Sequence, residues 1–385
     1  MIISRRPVKI RGPILLVVLL LLLLSQTPFA YRRYKLRRLS AGIQQLNSER
    51  RVPESNGYTD YKGVVHVHSF LGGHSSGGFS EIIAAAQANQ LQFVIMTEHT
   101  EKDFDTAAMT LQGVHGGVLF INGNEVSAPN GDRLLTLPGE VSIVAYPEEF
   151  KNWDTPGLDG VEVYNVFTNA RRVNPVVAFF DALWSKRSYP DLMFAFYVAR
   201  PDEGLKKWDR ALATARLTGV AGNDAHANIG VSLKDSSGKT LLGIQLDPYE
   251  TSFRLVRLHA LIEANKSLDA TSLLDAVRAG HCFIGFDFLG DTSGFSFTAE
   301  NAFERKIQGD EIFHNVDTRL RVQSPVSARI VIYQDGAVLV DESGISSKEL
   351  PVIDKGVYRV EVYLPQLGSM VAKQPWIISN PIYVR

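Results

Sequence analysis

A pair of histidines ends a short apolar run that follows the N-terminal segment. His66 and His68 stand two positions apart at the end of Gly63–His68. On a β-strand, residues at this spacing point to the same face, so both imidazole rings can converge on one metal ion. The carboxyl ends of barrel strands are also where β/α barrels carry their active sites. Taken alone, the pair is about as compatible with ordinary core or surface histidines as with a metal site.

A second pair with the same spacing follows another apolar run, Leu217–Gly222. Asp224 and His226 share a face by the same argument. Carboxylate and imidazole groups are both ordinary ligands of zinc and other divalent ions. Two such pairs at two strand ends are not readily explained as an incidental surface loop, and together they predict a metal site.

Further candidates follow the runs that lie between these pairs. Glu98 and His99 end a run that begins at Phe93, and Glu125 follows the next run. A carboxylate such as Glu125 can bridge two cations, which imidazole cannot. His74 lies among glycines in the loop after the first strand, where the backbone can approach a ligand closely.

The order of the apolar runs predicts two domains. Short runs alternate with helical segments over residues 60–288, which predicts a parallel α/β sheet or barrel with strands buried on both faces. Over residues 289–385 strand-like runs follow one another, and apolar and polar residues alternate in Val357–Val362. Asp335-Gly336 predicts a tight hairpin turn there. This second part is predicted to be an antiparallel β-sandwich.

Residues 1–30 have the layout of a membrane-targeting segment. Basic residues precede an unbroken apolar run from Pro13 to Leu24, as in a secretory signal. With the residues up to Ala30, the stretch reaches the roughly 17-residue minimum for a transmembrane helix. A second basic cluster follows directly and disfavours export of a cleaved product. The segment is interpreted as an uncleaved signal anchor, with a cleaved signal peptide as the alternative.

Residues 31–59 are predicted to be a basic juxtamembrane linker. Leucines and an isoleucine recur in it at helical spacing, which suits either a helix lying on anionic lipid or a stalk packed on the folded domain. The folded part is expected at the extracytoplasmic face of the membrane, in the periplasm, either anchored or secreted.

Bulk composition excludes several classes of protein and site. The chain of 385 residues has a net charge of -1, so no overall field attracts nucleic acid, and no basic aromatic stripe marks a nucleic-acid surface. The single cysteine, Cys282, excludes an internal disulfide and a thiolate zinc cluster. A bound metal must therefore be held by nitrogen and oxygen atoms, which suit Zn, Mn or Fe(II).

Taken in order, these motifs resemble the PHP (polymerase and histidinol phosphatase) family over roughly residues 60–285. The similar elements are His66-x-His68, His74, Glu98-His99, Gly123-x-Glu125 and Asp224-x-His226. The chain looks most like the branch of carbaryl-hydrolase-like secreted proteins, because of Trp208-Asp209 upstream of the last motif and the closing segment Pro375–Tyr383.

The resemblance implies a distorted (β/α)7 barrel with a site for two or three divalent metal ions. In the family pattern one ion would be held by His66, His68, Glu125 and Asp224. A second ion would be held by His74, His99 and Glu125, and His226 would belong to a third. Two ions are expected here, because Tyr146 precedes Pro147 where the family has a histidine. Tyr146 could still serve as a weak oxygen ligand.

Three functions are compatible with these observations. The resemblance implies a phosphoesterase acting on a small-molecule phosphate ester, and the closer branch implies an amide, ester or carbamate hydrolase acting on a carbonyl substrate. The third is a non-catalytic envelope module that binds a metal or glycan. For catalysis, Asp224 or Glu98 could accept a proton, and Tyr146 could donate one to a leaving group. Glu98 stands where the family usually has an aspartate.

Overall fold

The computed structural model describes residues 11–51, 57–170, 173–228, 230–234, 240–245 and 247–385. The helices in these ranges are α1 (Arg11–Glu49), α2 (Phe79–Ala88), α3 (Thr106–Met109), α4 (Val166–Ala170), α5 (Pro175–Ser185), α6 (Asp202–Ala211), α7 (Tyr249–Leu255) and α8 (Ala270–Ala279). Short 3-10 turns lie at Phe70–Gly72, Pro138–Glu140, Leu192–Phe196, Asp287–Leu289 and Pro365–Leu367.

The strands of the first part are β1 (Tyr58–Val67), β2 (Phe93–Met96), β3 (Glu98–His99), β4 (Gly113–His115), β5 (Val118–Ile121), β6 (Asn124–Ser127), β7 (Arg133–Leu137), β8 (Val141–Ala145), β9 (Gly160–Asn165), β10 (Thr218–Ala225), β11 (Gly230–Lys234), β12 (Thr240–Gln245), β13 (Arg257–Glu263) and β14 (Cys282–Gly285). Those of the second part are β15 (Ser296–Glu300), β16 (Arg305–Ile307), β17 (Glu311–Ile312), β18 (Arg319–Gln334), β19 (Ala337–Pro351), β20 (Gly356–Tyr363), β21 (Pro375–Ser379) and β22 (Ile382–Val384).

The strands other than β11 and β12 join in one connected hydrogen-bonded network, which makes this a mixed α/β fold. Its centre is parallel: β1 lies between β2 and β10, and β10 continues to β9 and β8. Helices fall between successive parallel strands, as α2 does between β1 and β2. The mixed α/β class is therefore confirmed, whereas the seven-stranded barrel and the separate sandwich stay predictions.

The central strand β1 is packed from both faces. Val65 lies in a buried cluster with Leu273 and Val277 of α8. Val64 and Val67 lie in another cluster, which includes α2. Strands covered on both faces are the reason that a parallel sheet reads as nearly continuous apolar runs. The same packing holds the carboxyl end of β1, with its polar residues, in a fixed position.

The C-terminal strands form long antiparallel pairs. β18 pairs with β15, β19 and β20, and β21 joins them to β14 of the first part. Asp335 and Gly336 have φ values of 51° and 78°, as a type I′ turn requires at both central positions. The hairpin predicted at this dipeptide is confirmed. Within the described residues, β19 pairs on one side alone, with β18.

Buried ion pairs connect the two parts of the chain. Arg359 of β20 makes two hydrogen bonds to Asp209 of α6, at 2.6 and 2.7 Å. Glu361, on the same strand, accepts hydrogen bonds from Arg200 at 2.6 and 2.8 Å and another from Arg359. Glu361 has no exposed surface, so the negative charge of its carboxylate must be balanced within the protein.

Helix α1 belongs partly to the folded body. Its residues from Ile14 to Leu24 are exposed, whereas Leu36, Leu39 and Leu46 are buried in the main core. Residues 31–49, predicted as part of a linker, are thus a helix packed on the domain, which is one of the two alternatives that the sequence allows. By length and composition, α1 is also the one helix in the described ranges that could cross a membrane.

His259 of β13 is buried between two carboxylates. Its Nδ1 lies 2.8 Å from Asp60 Oδ1, and its Nε2 lies 3.4 Å from Asp287 Oδ1. Burial alone would lower the pKa of His259, but the two carboxylates outweigh it and raise the pKa to about 9. A folded-state pKa above the unfolded value stabilises the fold fully below about pH 6.5, and this stabilisation is lost as pH rises through about 9.

We therefore expect the free energy of unfolding by urea to lose roughly 3 kcal/mol from this group between about pH 6 and about pH 9.5. His259→Gln should remove that part of the pH dependence. Subtracting the variant profile from the wild-type profile isolates His259 from the other titrating groups. Two parallel profiles would contradict the prediction.

Candidate metal centre

The backbone is irregular where two of the candidate ligands stand. The register between β1 and β10 shifts between Val65 and Val67, and His66 and Asp224 have φ values of 66° and 46°. The left-handed region costs free energy in residues other than glycine and is often found at functional sites. His66 and His68 therefore reach one site through a bulge, not through the regular alternation of a strand. A bulge is a known way to redirect a side chain.

Four side chains from three strand ends converge on one point. His66 Nε2 lies 3.3 Å from Glu125 Oε2 and 3.6 Å from Asp224 Oδ1. His68 Nε2 lies 3.6 Å and 3.4 Å from the same two oxygens. Ligands about 2.1 Å from a tetrahedral zinc ion stand about 3.4 Å apart. The spacing of these atoms therefore matches the ligand set of a single small cation.

His99 and His226 extend the cluster on the other side of His68. Their rings stack on the His68 ring, with centroids 4.5 and 4.2 Å away, and one ring nitrogen of each of the three lies within 4.8 Å of the others. His99 Nδ1 is also 3.5 Å from Glu125 Oε2. His68 thus borders two groups. His74 lies at the exposed rim beside His99 and is in neither close group found among the described residues.

Buried polar atoms at the centre of the cluster lack partners. Both ring nitrogens of His68, and Oδ1 of Asp224, are buried without a hydrogen bond to the described part of the chain. Leaving such an atom unsatisfied costs about 1–3 kcal/mol, and a bound cation would offset that cost. Imidazole and carboxylate groups both bind Zn, Mn or Fe. The donor set therefore fits a divalent cation held by nitrogen and oxygen.

Glu162 of β9 lies outside the predicted ligand set yet contacts this centre. Its Oε1 is 2.6 Å from His66 Nδ1, which leaves His66 Nε2 to face Glu125 and Asp224. A Cβ at Gly222 would come within 1.5 Å of Glu162 Oε1, so this contact requires glycine at position 222. The sequence did carry a signal, because a carboxylate within an apolar buried strand is rare unless it is paired.

We expect Glu162→Gln to weaken metal binding by roughly 10- to 100-fold, since carboxylates that orient a ligating histidine have effects of this size. The neutral side chain keeps its volume but no longer polarises the ring. Titration of metal-free protein with Zn²⁺ or Mn²⁺ against a chelating indicator measures the change. Glu263→Gln, on an exposed strand end, is the control, and equal affinities in the two variants would refute the assignment.

Asp224 divides its two oxygens between the cluster and its support. Oδ2 accepts hydrogen bonds from the Tyr146 hydroxyl at 2.7 Å and from Asn165 Nδ2 at 3.3 Å, while Oδ1 faces the histidines. Burial, together with the Asp224 charge, raises the pKa of Tyr146 far above its ordinary value. Tyr146 therefore stays a neutral phenol that positions Asp224, because a raised pKa makes it a poor proton donor and a neutral phenol is a weak metal ligand.

Glu125 is divided in the same way. Its Oε1 is paired with Arg133 Nη1 at 2.9 Å, and its Oε2 faces the histidines. Burial tends to raise the pKa of Glu125, but the nearby His66 outweighs burial and lowers the pKa to about 2. A bridge between two ions that used both oxygens would have to displace Arg133. The Arg133 side chain is 42% exposed, so a positively charged guanidinium borders the cluster where it meets solvent.

Glu98, a candidate proton acceptor, has both oxygens engaged away from the rings. Oε2 accepts a hydrogen bond from the Ser69 backbone N–H at 2.9 Å, and Oε1 accepts one from the Thr110 hydroxyl at 2.7 Å. Glu98 is completely buried. These bonds fix the loop that follows His68, which fits a positioning role better than proton transfer.

Comparisons with known proteins leave the family open. No family model and no curated protein matches the chain. A solved two-domain protein from Bacteroides vulgatus, which contains a predicted PHP-like metal-dependent phosphoesterase, aligns with 86% of this chain and 98% of its own, with 11% identity and a TM-score of 0.39. A TM-score this low carries no argument about this chain. The residues of the present chain form a mixed α/β protein, and its histidine and carboxylate cluster is compatible with a metal-dependent hydrolase.

Proposed function

We propose that this protein is a membrane-anchored, metal-dependent phosphoesterase of the PHP type that uses a metal-activated water. The observation that carries the proposal is the buried cluster around His68, in which nitrogen and oxygen atoms have no hydrogen-bond partner among the described residues and stand at the spacing of cation ligands. The order of these side chains along the chain, which resembles that of the PHP family, supports the same conclusion.

Two ions of Zn, Mn or Fe are proposed, with Glu125 between them. His66, His68, Glu125 and Asp224 would hold the first. His99 and His226 border the second, which His74 could complete from the rim. This arrangement differs from the family pattern, in which His226 serves a third ion. The neutral Tyr146 hydroxyl, already bonded to Asp224, gives no support to a third.

The divalent ions would lower the pKa of a water molecule and stabilise negative charge on a phosphoryl oxygen. Asp224, held in place by Tyr146 and Asn165, would accept the proton of that water. Arg133 would attract a phosphate oxygen, a role that suits its planar guanidinium. Tyr146, whose hydroxyl proton is engaged with Asp224, would position that carboxylate and would not protonate the leaving group. A partly exposed arginine beside the cluster favours a phosphate ester over a neutral carbonyl substrate.

We also propose that α1 stays attached as an uncleaved anchor and that the domain lies at the extracytoplasmic, periplasmic face. The contacts of α1 with the body support attachment. Gln26 accepts a hydrogen bond from Trp184 at 3.0 Å, and Phe29 stacks on Phe180 with ring centroids 5.0 Å apart. Cleavage after Ala30 would remove both contacts.

The test uses the full chain in detergent, stripped of metal and reloaded with Zn²⁺ or Mn²⁺. Turnover of p-nitrophenyl phosphate esters that the added metal restores is the expected result. Turnover confined to naphthyl esters or carbamates would instead make the site that of a carbonyl hydrolase. Bound metal without turnover of either substrate class would indicate a binding module.

A further inference from the structure

Helix α5 carries an apolar face that the described part of the folded body leaves partly uncovered. Val176, Phe179, Phe180 and Leu183 recur at the i, i+3, i+4, i+7 spacing that places side chains on one side of a helix. Val176 and Leu183 are 62% and 59% exposed. A helix that presents such a face to its surroundings marks an interaction surface.

Helix α5 is held firmly against α1. Arg32 of α1 makes two hydrogen bonds to Asp181, at 2.7 and 2.5 Å, and its guanidinium stacks on Phe196 at 3.7 Å. Asp181 is the one charged residue in the sequence of α5, and it is 1% exposed. The uncovered face of α5 therefore has no charge of its own, and its position depends on that of α1.

The length of α1 decides where that face lies relative to a bilayer. The run Pro13–Leu24 has twelve residues and extends about 18 Å at 1.5 Å per residue, well short of the ~30 Å hydrocarbon core of a membrane. Extension to Ala30 gives about 27 Å. To cross the membrane, α1 must therefore bring residues 25–30 into the bilayer. Gln26 and Phe29, which contact α5, belong to that segment.

We infer that α5 lies in the membrane interface, with its apolar face at the boundary between headgroups and acyl chains. The bilayer, not a protein partner, covers Val176 and Leu183. Interfacial helices of this kind bury one apolar face about 5–10 Å into the lipid. The aromatic residues Phe29 and Trp184 lie at the same level, where such rings are enriched in membrane proteins.

The metal centre and α5 share one connection. Strand β9 ends at Asn165, which contacts Asp224, and α4 follows at once with the Phe167 ring 6.0 Å from the His226 ring. Helix α5 then begins at Pro175. If the proposed function holds, the substrate class follows from this connection: an amphiphilic phosphate ester that resides in the bilayer, not one free in solution.

The position of α5 can be measured without any enzymatic activity. Cys282 has no exposed surface, so a cysteine introduced at Leu183 can be labelled selectively with a fluorophore in the full chain. Val338→Cys, on β19 of the second part of the chain, is the matched control because Val338 is 58% exposed. In vesicles of phosphatidylethanolamine and phosphatidylglycerol that contain nitroxide-labelled acyl chains, we expect strong quenching at position 183 and little at 338. Equally weak quenching at both positions would overturn the inference.

The substrate class is tested with two esters that differ in one chain. Hexadecyl p-nitrophenyl phosphate in the same vesicles is compared with water-soluble ethyl p-nitrophenyl phosphate. Leu183→Asp should lower turnover of the hexadecyl ester about tenfold and leave the ethyl ester unchanged. An equal effect on both esters would refute a bilayer substrate. If the wild type hydrolyses neither ester, the phosphoesterase proposal and the substrate class fail, while the quenching result still decides the position of α5.

Discussion

Replacement of His68 by alanine is expected to remove the first metal ion and to lower metal-dependent turnover by about 10³-fold or more. His68 Nε2 faces Glu125 and Asp224, and a neutral imidazole offers one lone pair to a metal, so its loss opens the first site. Loss of that ion forfeits several kcal/mol of transition-state stabilisation, and each 1.4 kcal/mol is about a factor of ten in rate. Elemental analysis of the purified full chain should show about two ions per wild-type chain and about one in the variant.

Two further variants sharpen this result. His99→Ala affects the second group alone and should leave about one ion bound. His115→Ala replaces an exposed histidine of β4 and should change neither metal content nor turnover. Circular dichroism checks that each variant is folded. If folded His68→Ala retained both ions, the place of His68 in the first site would be wrong, and with it the proposed arrangement of the metal centre.

Truncation of Glu361 is expected to destabilise the protein by about 3–5 kcal/mol, the range found when one partner of a buried ion pair is removed. Glu361→Ala leaves Arg200 and Arg359 without the carboxylate that lies between them. Arg359 is 2% exposed, so water cannot replace the lost partner. Because these arginines connect β20 to the first part of the chain, the melting temperature of the whole protein should fall. Urea denaturation of the full chain in detergent measures the loss of unfolding free energy.

The matched control is Glu349→Ala on β19. Glu349 pairs with Arg319 and Arg321, but all three side chains are well exposed. Exposed ion pairs contribute about 0–1 kcal/mol, so this variant should unfold almost as the wild type does. Similar losses in the two variants would mean that the buried connection has no special weight in joining the two parts.

The residue types of the candidate metal centre could be read from the sequence, but not its geometry. The two i, i+2 pairs indicated which residues come together in the candidate site, although His66 and Asp224 adopt left-handed backbone conformations that strand alternation does not describe. Backbone strain of this kind depends on how neighbouring strands pair, which a local pattern does not encode. Glu162 was missed for a similar reason, because its contact with His66 exists only when β9, β10 and β1 are side by side.

The fold was predictable to the same depth. The alternation of apolar runs and helical segments indicated a mixed α/β protein, and Asp335-Gly336 located a hairpin turn because that turn is encoded by adjacent residues. Buried leucines such as Leu36 and Leu39 had spacing that suited lipid or protein contact equally well. Which of the two they meet depends on the surface that the rest of the chain offers, so the sequence pattern alone left both alternatives open.

Among the described residues β19 pairs on one side alone, which affects the solubility of the protein at high concentration. An unpaired strand edge is a template on which another chain can add itself and begin an aggregate. Val338 and Leu339 are exposed near the start of this strand, where such addition would be most favourable. The charged side chains Asp341, Glu342, Lys348 and Glu349 follow along it. These charges are expected to keep the strand edge of a second molecule from docking on β19, and so to oppose self-association.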